Sequence, residues 1–298
     1  IVKMKGNYSG EKTVTFTILA SDQTDFSISG ATTAVYGGNS IELTATGGSG
    51  TGTITWEITS GDQFASIDQN GVVTIKGAGT VTVKATKAAD GNYKEKVDTH
   101  QITISKATVS ASKFSYSAPA DLVYNKTAKA ATVTGDSAYG AITTKYYSDS
   151  SLTTVVQPIN AGTYYVGITT AGGSNYEAVT APMYVGSFTI TARIVTVTAE
   201  AKTMQYGDDI PELTYTHNLI AGDSFTGSLE TEATKTSDVG EYDITIGELA
   251  NSNYTIDFVG AKLTITKANG PAAPTVTGSY TSDDMTYTYT VDAITGAE

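Results

Sequence analysis

The stretch "GNYKEKVDTHQITISKA", Gly91 to Ala107, reads as a loop followed by one strand, and the same phrase returns at three other places in the chain. The counterparts are "GNYSGEKTVTFTI" (Gly6 to Ile18), "SNYEAVTAPMYVGSFTI" (Ser174 to Ile190) and "SNYTIDFVGAKLTI" (Ser252 to Ile265). By subtraction of positions, Tyr8, Tyr93, Tyr176 and Tyr254 stand 85, 83 and 78 residues apart. A period of about 80 residues is that of a domain and is too long for a solenoid repeat.

Working outward, each Asn-Tyr is preceded by a glycine and an alternating strand: "GAGTVTVKAT" (Gly77 to Thr86), "NAGTYYVGIT" (Asn160 to Thr169) and "VGEYDITIG" (Val239 to Gly247). The two parts together read as the last hairpin of a module, with Asn-Tyr in the connecting loop. Near each module's beginning a tyrosine precedes a Gly or Asn turn and a further strand: "VYGGNSIELTA" (Val35 to Ala45), "VYNKTAKAATV" (Val123 to Val133) and "MQYGDDIPELTY" (Met204 to Tyr215). About seven short strands separated by turn signals are the pattern of an immunoglobulin-like sandwich. The expected fold is therefore all-β, with tandem Ig-like β-sandwich modules in an extended array. The expected boundaries are 21–106, 107–192 and 193–267, with 1–20 the C-terminal hairpin of a preceding module and 268–298 the start of a following one.

Composition agrees. The 298 residues include 30 Gly, 19 Tyr and no Cys, a palette of strands and turns, because β-branched and aromatic side chains suit a half-buried pleated surface. A net charge of −12 argues against a nucleic-acid partner, which needs Lys and Arg to replace counterions. Without cysteine there is no disulfide, thiolate nucleophile or thiolate metal site. No apolar run approaches the ~20 residues of a membrane helix, and the start "IVKMKGNYSG" lacks a signal-peptide core, so the stretch reads as excised from something longer.

Here the residues resemble known families. "TWEITSGDQFASIDQNGVVTIKGAGTVTVKAT" (Thr55 to Thr86) resembles bacterial Ig-like domains of the intimin and invasin type. "MQYGDDIPELTYT" with "VGEYDITIGELANSNYTIDFVGAKLTITKA" is similar to MBG repeats, and 107–192 looks like a more distant relative of the same or the YDG type. The tail from Pro271 resembles the opening of a fibronectin-III-like module. The resemblance implies a secreted or wall-anchored bacterial surface protein, Gram-positive by expectation, and it brings no catalytic residues.

The search for chemistry returns little. His100 and His217, the two histidines, lie in different modules, and each shares parity with apolar strand neighbours, so no triad or zinc site is expected from them. Acidic clusters at "SDQTD" (Ser21 to Asp25), "GDD" (Gly207 to Asp209) and "SDD" (Ser282 to Asp284) lack the ligand ladder of a calcium loop and read as solvated turns. "GGSGTG" (Gly47 to Gly52) has no Gly-Lys-Ser/Thr and leads into a strand, which makes it a turn rather than a phosphate loop. No cofactor and no metal are expected. The recurrent Asn-Tyr tyrosines read as end caps of the sandwich, each burying its ring with the hydroxyl on a backbone carbonyl or water.

The junctions "TISKATVSAS" (Thr103 to Ser112), "TITARIVTVTAE" (Thr189 to Glu200) and "TITKANGPAAP" (Thr264 to Pro274) leave almost no linker, and short connections restrict hinge angles. The expected function is a non-catalytic stalk, monomeric and extracellular, that projects a distal domain from a bacterial surface. The alternative is an adhesin whose modules bind a host glycan or surface protein. Its candidate ligand-binding aromatics are Tyr146, Tyr147, Tyr164 and Tyr165, since one of each adjacent strand pair must point outward.

Overall fold

The computed structural model describes residues 2–3, 6–7, 10–270, 275–281 and 286–291. Among the described residues the elements are strands, with only two short 3-10 turns at Ala111–Lys113 and Ser137–Tyr139. The contacts divide the chain into two units. One comprises 1–119, 130–157 and 164–187, and the other 120–129, 158–163 and 188–298.

In the first unit the opening motif lies in a sheet ordered Thr33–Val35, Lys96–Ser105, Gly79–Lys87, Ile54–Ser60. Gly79–Lys87 and Lys96–Ser105 pair antiparallel over their lengths, the hairpin that the alternation implies. Val81, Val83 and Ala85 are fully buried while Thr80, Thr82 and Lys84 face outward, so the period of two has placed one face in the core. Burying each valine is worth about 1.5 to 3 kcal/mol. Trp56 joins Phe26, Leu43, Val73, Ile102 and Ile104 in that core. Its ring lies against Gly71, whose φ of 83° and closeness to the Leu43 carbonyl leave no room for a side chain. Further along the same unit, Ile142–Tyr147 pairs antiparallel with Tyr165 to Thr170, and Phe114, Tyr139 and Ile168 form a second small core.

In the second unit Arg193–Ala199 lies between Tyr215–His217 and Tyr254–Val259, and a second sheet runs Lys202–Gln205, Ala261–Thr266, Gly240–Thr245, Glu230–Thr231. Val197, Met204, Leu229, Ile244, Leu263 and Ile265 fill the core. The Asn-Tyr here departs from the expected loop, because Tyr254–Val259 is a strand of its own, parallel to Arg193–Ala199. Alternation explains it: Tyr254 is buried and Ile256 and Phe258 pack on the core, so the segment has a face to bury before the last strand begins. Val276–Thr281 and Thr286–Val291 form a separate antiparallel pair.

Two backbone contacts recur and fix where the motifs sit. Ser21 and Ala107 donate to the carbonyls of Asn92 and Asn175 and accept from Lys94 and Glu177, and Arg193 donates to the carbonyl of Asn253, at 2.8 to 2.9 Å throughout. The tyrosines of the second motif are also equivalent: the N–H groups of Tyr36, Tyr124 and Tyr206 donate to the carbonyls of Ser105, Thr191 and Thr266, each at 2.9 Å. Ser105 and Thr266 are the last residues of their strands, and Thr191 follows directly on Val179–Ile190.

Candidate functional site: two tyrosine joints

The tyrosine that opens one repeat meets the Asn-Tyr tyrosine of the next. In the first unit Tyr36 and Tyr176 pack edge to face, with ring centroids 5.4 Å apart and planes at 84°. In the second unit Tyr124 and Tyr254 do the same at 5.4 Å and 79°. Such geometry sets the positive ring edge on the negative face and contributes roughly 0.5 to 1.5 kcal/mol beyond burial. Beside each ring pair the asparagine acts as a latch. Asn175 Oδ1 accepts from the Ala78 N–H at 2.9 Å, and Asn253 Oδ1 accepts from the Ala161 N–H at 2.8 Å. Ala78 and Ala161 each stand one residue before the glycine that begins a strand, Gly79 or Gly162.

Around this shared frame the joints differ. In the first, Tyr176 also packs against Tyr139 at 4.8 Å, and Tyr139 against Phe114, so the ring ends in an aromatic row. In the second, the hydroxyls of Tyr124 and Tyr254 both donate to Asp223 Oδ2, at 3.0 and 2.7 Å. Lys126 Nζ lies 2.7 Å from Asp223 Oδ1 and donates to the Ala221 carbonyl, while the Ile220 N–H donates to the Tyr254 hydroxyl. The Lys126 ammonium, followed by the two hydroxyls, holds the Asp223 carboxyl below its ordinary range. Burial first, then the Asp223 carboxylate, pushes the Tyr124 hydroxyl up to about 12 and raises Tyr254 in the same direction.

Tyr176 and Tyr254 thus pack their rings at the joints, and Tyr254 meets a carboxylate where the sequence implies a backbone carbonyl or water. Among the described residues the Tyr176 hydroxyl has no hydrogen-bond partner. Asp223 does carry a sequence signal, since its Gly-Asp-Ser (Gly222 to Ser224) recurs at Gly135 to Ser137, where Asp136 instead accepts from the Ala138 N–H.

The candidate aromatics are split by the pleat. Tyr164 is buried beside Val166, and Tyr146, paired with Val166, accepts from the Ala131 N–H at 2.9 Å. Tyr147 and Tyr165 pair on the other face, where the turn that returns at Val155 leaves Tyr147 only 3% exposed. Tyr165 is half-buried against Tyr184, which is 47% exposed. The four therefore form no single platform, and Tyr184 joins Tyr165 at the surface.

The remaining candidates resolve into structure. His100 bonds the Ala31 carbonyl, and His217 accepts from the Leu219 N–H and packs in a triangle of rings with Tyr215 and Phe225. In "SDQTD" Asp22 pairs with Lys94, and Gln23 is buried, donating to the Lys94 carbonyl. Asp209 pairs with Lys235, and "SDD" at 282–284 lies outside the described residues. No group of three or more His, Cys, Asp or Glu capable of holding a metal ion occurs among the described residues. One buried charge was not legible: Lys129, 6% exposed, is paired with Asp121 at 2.8 Å. No helix among the described residues is long and apolar enough to cross a membrane.

Comparison with known families agrees with the repeats. Residues 22–98 match the bacterial Ig-like domain (group 2), and residues 195–264 match the MBG domain (YGX type). The chain carries tandem bacterial Ig-like domains. Among solved structures, these Ig-like domains are similar to mouse cadherin-23 EC22-24 at 16% identity and a TM-score of 0.28, covering 57% of this chain and 64% of that one, less than two thirds of its length. Titin domains I67-I69 in an E-to-A variant align at 13% identity and a TM-score of 0.27, over 84% of this chain and 100% of the other. A Bacteroides ovatus SGBP-B of a mixed-linkage glucan utilization locus, in complex with a mixed-linkage heptasaccharide, aligns at 14% identity and 0.19, over 93% and 75%. No curated protein matches the chain.

Proposed function

We propose that these tandem Ig-like domains are a non-catalytic spacer of a bacterial cell-surface protein, an extracellular stalk that holds a distal functional domain away from the cell. The division into modules at 21–106, 107–192 and 193–267, flanked by parts of two others, belongs to this reading. The observation that supports it is the repeated joint, in which a ring pair and an asparagine latch fasten each repeat to the next with the same geometry. Two fastenings beside a connection of one or two residues remove the freedom that domain neighbours ordinarily keep.

The test uses the absence of cysteine. Spin labels on Thr74→Cys and Lys145→Cys, both exposed, give by electron-electron resonance a single narrow distance distribution across the first joint. Asn175→Ala with Tyr36→Ala broadens it. A broad distribution in the otherwise unaltered chain would sink the proposal.

A second reading rests on the surface pair Tyr165 and Tyr184: adhesion through a glycan or protein ligand. A glycan and host-protein binding screen with Tyr184→Ala as its control tests it, and binding that survives the substitution removes this pair from consideration.

A further inference from the structure

The chain contains two Asn-Gly dipeptides, Asn70–Gly71 and Asn269–Gly270. In such a pair no side chain shields the glycine nitrogen, and it can attack the asparagine Cγ. A nitrogen–carbon bond forms, the glycine nitrogen gives up its proton, and the side-chain amide leaves as ammonia, so a succinimide ring results. Water then opens either ring carbonyl. One opening gives aspartate, and the other gives isoaspartate, in which the main chain runs through Cβ and Cγ and is longer by one methylene. Water is the sole co-reactant.

The fold holds the two pairs differently. Asn269 and Gly270 are exposed, follow the strand Ala261–Thr266, and leave open space where a Gly270 side chain would stand. Gly71 is buried although Asn70 beside it is exposed. The Gly71 N–H donates to the Asp68 carbonyl at 3.1 Å, and the Gly71 carbonyl accepts from the Leu43 N–H at 2.9 Å. Asp68 Oδ1 accepts from the N–H groups of Asn70 and Val72, both at 2.9 Å, while Asn70 Nδ2 donates to Asp68 Oδ2 at 3.3 Å. Gln69 ties the turn to the neighbouring strand, accepting from the Trp56 N–H at 3.3 Å and donating to the Trp56 carbonyl at 3.2 Å. The nitrogen that must attack is thus bound to the Asp68 carbonyl, and the amide that must leave is bound to the Asp68 carboxylate.

We propose that Asn70–Gly71 is a modification site that the fold around Trp56 keeps closed, so that ammonia loss there follows opening of the turn and records it. Attack requires the Gly71 N–H to leave the Asp68 carbonyl and the Asn70 amide to swing over it, and both movements break the ties of the folded turn. The isoaspartate product does not fit back. Gly71 has a φ of 83°, and a Cβ on it would stand 2.5 Å from the Leu43 carbonyl oxygen and 3.1 Å from the Trp56 ring. In so close-packed a place the added methylene has no room, and it draws the Gly71 carbonyl off the Leu43 N–H. A chain that has opened and reacted here therefore does not regain its packing around Trp56, and the change is irreversible.

Peptide mapping of the full chain, held at mildly alkaline pH in buffer and in concentrated urea, reads both pairs at once, with electron-transfer fragmentation to tell isoaspartate from aspartate. Asn269 is the internal reference, because a glycine follows it as it follows Asn70. In buffer Asn70 should react about a hundred-fold more slowly than Asn269, the ratio that an opening cost of about 2.8 kcal/mol imposes, and in urea the two rates should agree within about three-fold. Asp68→Ala removes three bonds of the turn without touching the reacting atoms, and it should speed Asn70 about ten-fold in buffer while Trp56 fluorescence stays native. After reaction in urea and dilution, native Trp56 fluorescence should fail to return in the fraction that carries isoaspartate. It should return in full in an Asn70→Ala chain treated alike. Comparable rates at the two pairs in buffer overturn the proposal. So does a deficit at Asn70 that persists in urea, which would come from neighbouring residues and not from the fold, and so does full refolding of the isoaspartate chains.

Discussion

The two joints share a frame and differ in what stands behind it. Tyr36 and Tyr176 continue into Tyr139 and Phe114, so the first joint is held by ring contacts and one latch. Tyr124 and Tyr254 converge on Asp223 and Lys126, so the second adds a buried-edge carboxylate with three donors. One geometry therefore tolerates two chemistries, provided that the ring pair and the asparagine remain. In the first the charges of Asp136 and Lys113 act on Tyr176 without a hydrogen bond to it, whereas in the second a carboxylate bonds both hydroxyls, so the second should be the more sensitive to charge.

The sharpest break of this comparison is removal of the rings. Tyr254 is 6% exposed, and Tyr254→Ala leaves a cavity against Tyr124 and Phe225 and removes one of the three donors to Asp223; it should cost about 3 kcal/mol. Tyr176 is only half-buried, so Tyr176→Ala should cost about 1 to 2 kcal/mol. Urea unfolding read by far-ultraviolet dichroism measures both. Fluorescence of Trp56, the lone tryptophan, follows the first unit separately. Equal losses would mean that the carboxylate contributes nothing.

Conservative replacement isolates the hydroxyl. Tyr254→Phe should cost about 1.5 to 2 kcal/mol, because a hydrogen bond to a charged group is lost and Asp223 keeps one fewer donor. Tyr176→Phe should lie within about 0.5 kcal/mol of the parent, since no hydroxyl partner is lost. A substantial loss at Tyr176 would show a polar role for that hydroxyl.

Much of this fold was legible because its signals are local. Alternation in "TVTVKAT" announced the buried Val81, Val83 and Ala85, and the recurring Asn-Tyr announced the repeat. The joints were not legible. Repetition shows which positions are equivalent, whereas Tyr36 with Tyr176 and Tyr124 with Tyr254 pair positions that are not, far apart along the chain. Recurrence of the Asn-Tyr places Tyr254 in a connecting loop with its counterparts, although Ile256 and Phe258 alternate behind it and form a strand. For the candidate aromatics parity tells which face a ring leaves by, and only the turn returning at Val155 decides that Tyr147 is covered there.

Acid should separate the joints by a smaller amount. The Asp223 pKa is depressed in the folded chain, so its contribution is complete above the unfolded carboxyl value near 3.9 and fades as pH falls through the lower folded value. Alkali acts through Tyr124, whose pKa is raised to about 12. That contribution is complete below the unfolded value near 10 and is lost as pH climbs from there through about 12. Asp223→Asn should therefore flatten the acid limb of second-unit stability while leaving the Trp56 transition unmoved. An acid limb that persists in Asp223→Asn assigns it to other carboxylates.

The latches are the point on which the joints should agree. Asn175→Ala and Asn253→Ala each remove a neutral hydrogen bond of nearly the same length, 2.9 and 2.8 Å, to an N–H in the same place. Each should cost about 1 kcal/mol, including the penalty for the N–H left behind at Ala78 or Ala161. Aspartate separates them: Asn175→Asp keeps its acceptor, while Asn253→Asp also loses the donation from Nδ2 to Asn160 Oδ1 at 3.2 Å and sets a new negative charge facing that oxygen. Asn175→Asp should thus recover most of the alanine loss and Asn253→Asp little of it, as read by unfolding at neutral pH. If both alanine variants cost the same and both aspartates recover it, the latch is a matter of one acceptor oxygen. If Asn253→Ala costs far more than Asn175→Ala, the latch and the carboxylate of the second joint act as a single coupled unit, and the shared frame is less separable from its surroundings than the two geometries imply.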